Sequence, residues 1–435
     1  YKLLQADLRL GTPTAVFGVS DSQKYLTCAV LEGKTLYIVA DSVAANRAYA
    51  AISVLSGKKC ACLSAKDDIL LFKEAASRDS LFRRIEGINA LFSGAEIVVA
   101  EVEALLQLFP SHLPKVVIEK GGELSYSSLP AKLVGMGYSR EYSVESKGAF
   151  AVRGDILDIF PVGAENPVRV DFFGDEVEKI RPYDFVSGDR LAELDRIGIL
   201  PAVDCFIEDD EREQVLKKLR DNLKECPNMA CYTRLSAISE SIEAGLAAGA
   251  PFAGQDFLFP VLKCRRNIFD ILPPDTLVVF DECKAVYDRL CASEKEHAER
   301  YEELRAGGEV CDFTLFQQLS AEEFEAGVAR FRNLALQTFT TTLQFFSPLR
   351  TYNFRSVPSP SYLSSLPSLV GDVKNWLSGG YRVIIFSGGV QRYEKLTELL
   401  DEAYVSVNPM PYSLDALRYV AMSSEELDHG FILHD

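Results

Sequence analysis

Over the first hundred or so residues, short apolar runs recur at a spacing that few folds can accommodate. Residues 14–19 form an apolar run closed by a Gly/Ser turn, residues 24–31 have helical composition, and TLYIVA at 35–40 reads as a short buried strand. Asp41 or Ser42 stands where an N-cap is expected before the alanine-rich helix 43–55. EIVVA at 96–100 follows a helical stretch at 78–92, and VVI at 116–118 follows another. Buried-type strands alternating with helices predict a parallel, doubly wound α/β sheet.

From Tyr142 the pattern changes to strands in close succession, YSVES, AFAVRGDILDIFP, VRVDFFG and VEKIRPYDF, separated by turns containing Gly, Asn and Pro. They predict an antiparallel meander in an inserted α+β domain at 119–200. Within AFAVRGDILDIF, alternation puts Phe150 and Val152 on one face and Ala151, Arg153 and Asp155 on the other, with Gly154 or Asp155 marking a bulge or a change of burial. Phe172 and Phe173 read as core. After charge-rich helical segments at 209–248, TLVVFDE at 276–282 returns to the parallel sheet, so the first domain is discontinuous, 1–118 and 201–354. Residues 355–368, with three prolines and six serines, read as a linker to a small α/β domain at 369–435. The abrupt end suggests a piece of a longer protein.

Composition narrows the function. With 46 Lys+Arg against 63 Asp+Glu, net −17, the chain lacks the cationic excess of a nonspecific polyanion binder. No apolar run approaches the ~18 residues of a membrane helix, and the first residues do not resemble a signal peptide. The ten cysteines contain no C-x-x-C pair and the four histidines are dispersed, so no metal site is expected. Such thiols fit a reducing, cytoplasmic setting.

Residues 18–25, Gly-Val-Ser-Asp-Ser-Gln-Lys-Tyr, follow an apolar strand and precede a helix, the context of a phosphate-binding loop. The pattern G-x-x-x-x-G-K-[ST] needs a second glycine to wrap the phosphate and a hydroxyl for magnesium; Gln23 and Tyr25 stand there, leaving Gly18 and Lys24. Asp281 and Glu282, at the end of an apolar strand, resemble the acidic pair of such ATPases, although a solvated strand end is the plainer reading. No catalytic residue is assigned.

The block at 138–201, with GAFAVRGDILDIFPVGAENPVRVDFFGDEVEKIRPYDF at its centre, resembles bacterial transcription-repair coupling factors and, more distantly, the repair helicase subunit UvrB. The resemblance extends over nearly the whole chain, through the degenerate loop at 18–25 to His429-Gly430-Phe431, but only the long block is individually decisive. It implies a degenerate P-loop NTPase-like sheet, an inserted domain that recruits UvrA, and a parent that contacts RNA polymerase and double-stranded DNA through regions outside this chain, where ATP and magnesium would act. UvrB carries an aromatic-rich hairpin, and no tyrosine lies between Cys62 and Phe92 here. Arg140 and Arg153 match two arginines the resemblance assigns to UvrA contact, a third falls on Ala151, and Tyr142, Asp155, Arg169 and Arg181 could extend the patch. Residues 140–190 carry 7 basic and 11 acidic residues, a mixed surface that suits a protein better than a duplex. The alternative is an ATP-dependent DNA enzyme of the UvrB type.

Overall fold

In the computed structural model, which describes every residue except 68, 73–77, 227, 253, 264, 355, 361, 363, 364, 411–419, 428, 429, 434 and 435, seven short segments stand side by side as one parallel sheet. The N-terminal part contributes β1 (Thr14–Phe17), β2 (Thr35–Val39), β3 (Cys60–Leu63) and β4 (Ile97–Glu101). A much later part contributes β14 (Leu277–Asp281), β15 (Arg332–Gln337) and β16 (Arg350–Asn353), in the order β16-β1-β15-β14-β2-β4-β3. The sheet is thus discontinuous in sequence, as expected. Alternate side chains enter two separate cores: Leu36 and Ile38 join Val98, Ala100 and Phe280 on one face, while Tyr37 and Val39 join Ile97, Val99 and Val279 on the other. Burial on both faces is what makes such strands read as unbroken apolar runs.

On the Tyr37 face lie α1 (Lys2–Arg9), α2 (Asp21–Val30) and α3 (Ser42–Ser56); on the Leu36 face lie α4 (Asp79–Phe92), α5 (Val102–Leu106), α9 (Ile268–Ile271), α10 (Cys283–Gly307) and α11 (Ala321–Val328). Asp41, of the two candidates, is the N-cap of α3, its carboxylate accepting from the Ala44 N–H at 2.9 Å. Strands β3, β15 and β16 were not foreseen from the sequence. The segment at 116–118 does not join the parallel sheet: β6 (Val116–Glu119) pairs antiparallel with β12 (Arg196–Ile199). A four-residue apolar run looks the same whichever sheet receives it, so periodicity could not decide between them. A small ladder joins β5 (Phe109–Pro110) to β13 (Arg265–Arg266).

After α6 (Leu129–Gly135) comes a five-stranded sheet, order β11-β10-β9-β8-β7, built from β7 (Ser139–Arg140), β8 (Ala149–Arg153), β9 (Ile156–Ile159), β10 (Val168–Phe173) and β11 (Glu176–Pro182). The expected meander is present from β8 to β11, with two corrections. YSVES is not a strand: residues 141–148 cross back from β7 to β8, which run parallel. AFAVRGDILDIF is two strands, because the chain reverses at Gly154 and Asp155, where Gly154 takes φ +58°. Phe150, Val152, Leu157, Ile159, Val168, Val170 and Phe172 fill the inner face of this sheet. Phe173, expected in the core, is 73% exposed.

Helices α7 (Arg212–Lys224) and α8 (Met229–Ala248) enclose a further core with Phe257 and Phe259. The C-terminal unit has α12 (Leu366–Ser378), α13 (Val390–Glu402) and the parallel strands β18 (Val383–Phe386), β20 (Val420–Ser423) and β19 (Val407–Pro409) in that spatial order. The proline- and serine-rich stretch is not wholly irregular, since β17 (Ser356–Pro358) pairs with β21 (Phe431–Leu433) and α12 opens with Pro367 in its first turn. Cys264, His429 and His434 lie outside the described residues. Ile384, Phe386 and Met410 of this unit pack against the Tyr37 face of the large sheet.

A buried ionic joint, invisible in the sequence, ties the chain leaving the inserted sheet to the large one. Asp204 accepts from Lys66 at 3.0 Å and from Arg84 Nε at 3.2 Å, and Arg84, fully buried, also donates to the Ser64 and Leu108 carbonyls and lies 4.4 Å from the Phe109 ring centre. Burial alone would raise the Asp204 pKa, but the two cations outweigh it and hold the carboxyl below its ordinary range. Among the described residues no helix is long and apolar enough to cross a membrane.

Candidate functional site

Two places concentrate the residues singled out from the sequence. The first is the end of β1. Gly18 follows the strand with φ +75°, and a Cβ there would stand 2.6 Å from the Phe354 carbonyl oxygen and 2.8 Å from Asn353 Oδ1. This glycine therefore serves close approach of the chain following β16. Helix α2 begins at Asp21, so Gln23, Lys24 and Tyr25 are helical rather than part of an open loop, and all three are buried. The Tyr25 ring lies in the core, edge-on to Tyr37 with centroids 6.4 Å apart.

Lys24 reaches from α2 to the end of β14. Its Nζ donates to Asp281 Oδ1 at 2.8 Å and to Glu282 Oε1 at 2.7 Å. The Tyr37 hydroxyl donates to Asp281 Oδ2 at 2.8 Å, and Thr338, just after β15, donates to Glu282 Oε1 through its N–H at 2.8 Å and its hydroxyl at 2.6 Å. The acidic pair is thus not a solvated strand end: its carboxylates are engaged by groups from α2, β2 and the turn after β15. Burial would lower the Lys24 pKa, yet the two acids dominate and raise it above the ordinary lysine value. For Glu282 the balance runs the other way, burial being outweighed by Lys24 and Thr338, so the carboxyl sits below its usual value. Glu282 also has φ +57°, a conformation that costs a non-glycine residue about 1–3 kcal/mol and persists where surrounding contacts enforce it.

Chemically, the Lys24 ammonium is the cation that both carboxylates face. Among the described residues no group of three or more His, Cys, Asp or Glu side chains is placed to hold a metal ion. Tyr37 and Thr338 were not singled out from the sequence. A tyrosine in a fully buried strand needs a partner for its hydroxyl, which was a readable signal; nothing local marks Thr338.

The second place is the turn end and outer face of the β7–β11 sheet. Arg140, Tyr142, Arg153 and Asp155 are all exposed, but Arg140 stands in register with the inward Phe150 on the edge strand, whereas Arg153 alternates with the inward Val152 and lies on the outer face. Arg153 Nη2 donates to the Tyr142 carbonyl at 2.5 Å, and its guanidinium carbon lies 4.8 Å from the Tyr142 ring centre. Asp155 sits in the β8–β9 turn, where its carbonyl accepts from the Phe172 N–H at 2.9 Å. Tyr126 closes this end, its hydroxyl donating to the Gly154 carbonyl at 2.6 Å. Burial and the Asp155 charge raise the Tyr126 pKa while the Arg140 charge opposes the rise.

Arg169 is on the same outer face but is differently engaged: Nε and Nη2 form a fork on Asp158 at 2.7 and 2.8 Å. The neighbouring Arg181 pairs with Asp171. Ala151, the position of the missing third arginine, is 2% exposed and buried in a small cluster with Val144, Ala149 and Phe160 rather than on the surface. Phe173, on the outer face of β10, adds an exposed aromatic that was not anticipated.

Residues 116–204 match the model of the UvrB interaction domain, a stretch that spans the β6–β12 pair and the five-stranded sheet. Over 379 residues, 82% of the chain, the sequence is 26% identical to a transcription-repair-coupling factor from Bacillus subtilis (strain 168), of which the match covers 31%. It is 34% identical over 167 residues to a UvrABC system protein B from Clostridium botulinum (strain Langeland / NCTC 10281 / Type F), covering 37% of this chain and 25% of that protein. A Bacillus anthracis UvrABC system protein B is 29% identical over 235 residues, 49% of this chain and 36% of the relative. The chain spans between a quarter and about a third of the length of these relatives.

Proposed function

We propose, from the premise that this chain carries a UvrB interaction domain and is related over most of its length to transcription-repair-coupling factors, that it is a noncatalytic docking module whose inserted sheet recruits UvrA. The observation that carries the reading is the exposed end of that sheet, where Arg153 is already stacked on Tyr142 beside the turn that holds Asp155. An arginine held on a rigid sheet loses little freedom when it pairs with a partner carboxylate. The mixed charge of the region favours a protein over a duplex.

The parallel sheet is a degenerate NTPase-like scaffold. What supports this is the helix beginning at Asp21 and the use of Lys24 as counter-ion to Asp281 and Glu282, which leaves this lysine no free ammonium for a phosphate. Neither ATP nor magnesium is required by this chain. Contacts with RNA polymerase, ATP-driven movement on double-stranded DNA and a place in transcription-coupled excision repair belong to the whole parent protein and rest on the likeness to the coupling factor. Gel filtration of the chain mixed with purified UvrA tests the docking role: a shared, earlier-eluting peak is expected, and separate elution at micromolar concentrations of both contradicts it.

A further inference from the structure

The connection between β7 and β8 is unusually short for parallel neighbours. Such strands ordinarily need a dozen or more connecting residues, and here 141–148 suffice because β7 is only two residues long. The segment returns across the outer face of β8 and has its own anchor there. Val144 is 8% exposed and packs with Ala149, Ala151 and Phe160 in a small core separate from that of the inner face, which receives Phe150 and Val152. Two residues before the anchor, Tyr142 supplies both the carbonyl and the ring that hold Arg153. The small side chain at 151 is thus what gives Val144 its seat.

We infer that Val144, seated on Ala151, is a positioning residue for the docking face: it pins the crossing strap so that Tyr142 fixes the Arg153 fork toward a carboxylate-bearing partner. This inference rests on the docking role proposed above and assigns that role a specificity device. A free arginine of this length samples many rotamers; the strap removes most of them before binding, so its contribution is to the affinity of Arg153 and not to a contact of its own. A charged residue at 144, or a large one at 151, would lift the strap and release the guanidinium without disturbing the main core, because the two cores share no buried residue.

The test uses the whole chain in two measurements. First, the Arg153 Nε–H resonance is followed by NMR in the wild type, V144I and V144D. A signal shifted by the Tyr142 ring is expected in the wild type and V144I and is expected to move to the free-arginine position in V144D; an unchanged signal in V144D overturns the inference whether or not the chain binds UvrA. Second, UvrA is titrated with wild type, V144D, R153A and the double variant. V144D is expected to weaken binding about tenfold alone and not at all in the R153A background. Equal losses in both backgrounds, or no loss from V144D where R153A does weaken binding, overturn the positioning role. Failure of the wild type itself to bind UvrA counts against the docking reading, and the NMR result then decides the inference alone.

Discussion

Lys24 is the residue on which the scaffold reading turns. Removing its ammonium leaves two partly buried carboxylates facing each other, and breaking a buried ion pair by deleting one partner costs about 3–5 kcal/mol. Because the Glu282 side chain is 34% exposed, K24M is expected at the lower end, near 3 kcal/mol by urea denaturation. The pH dependence follows from the two shifts. Glu282 lies below its ordinary value of 4.5, so its contribution is present above that pH and is lost as pH falls through the folded value. Lys24 lies above its ordinary 10.5, so its contribution is complete below that pH and is lost as pH rises through the folded value. The stability difference between wild type and K24M is therefore expected to be greatest in the neutral to mildly alkaline range, to shrink as falling pH protonates the carboxylates that K24M leaves unpaired, and to shrink again as pH rises through the folded Lys24 value. A difference that persists unchanged into acid would show that Glu282 and Asp281 do not depend on Lys24. The sequence marked Gly18, Lys24, Asp281 and Glu282 as remnants; that Lys24 bonds to Asp281 over 257 positions of chain separation was beyond it, because contact at that range is decided by topology.

Among the elements, those with strong local chemistry were legible. β2 and β4 have every residue buried and are apolar apart from Thr35 and Glu101 at their ends, α3 has its Asp41 cap, and β10–β11 alternate around a Gly-Asp turn. The β8–β9 hairpin was misread although Gly154-Asp155 is a two-residue turn of a type that favours hairpins; the apolar residues on both sides of it concealed the reversal. β3 was missed because Cys-Ala-Cys-Leu has little strand propensity, and its place at the sheet edge is secured by α4. A Cβ on Gly87 would stand 2.1 Å from the Cys62 carbonyl oxygen, so the helix lies flush on that strand only because position 87 has no side chain. G87A must push helix and strand apart, and a loss of about 1–3 kcal/mol is expected, with faster amide exchange across 60–63 than across 97–101. Uniform exchange in both strands would show that the contact is not what holds the edge.

At the scale of the whole molecule, the inserted sheet is useful as a docking surface only if it is firmly joined to the rest. Asp204 is the centre of that joint, and D204A leaves Lys66 and Arg84 as buried cations without their shared carboxylate. The expected cost is about 3–5 kcal/mol, together with protease sensitivity near the junction. Unaltered stability would mean that the apolar contacts alone carry the joint. The sequence could not disclose it, since Lys66, Arg84 and Asp204 each look like ordinary surface charges until the fold buries them.

On the proposed reading, this chain contributes an exposed arginine pair on the inserted sheet and no nucleotide chemistry. Calorimetric titration of purified UvrA with the wild-type chain and with R140A/R153A tests that most directly. The predicted result is a loss of about 2 kcal/mol or more of binding free energy, some thirtyfold in affinity, with unchanged melting temperature. Equal affinity of the two proteins for UvrA would contradict it.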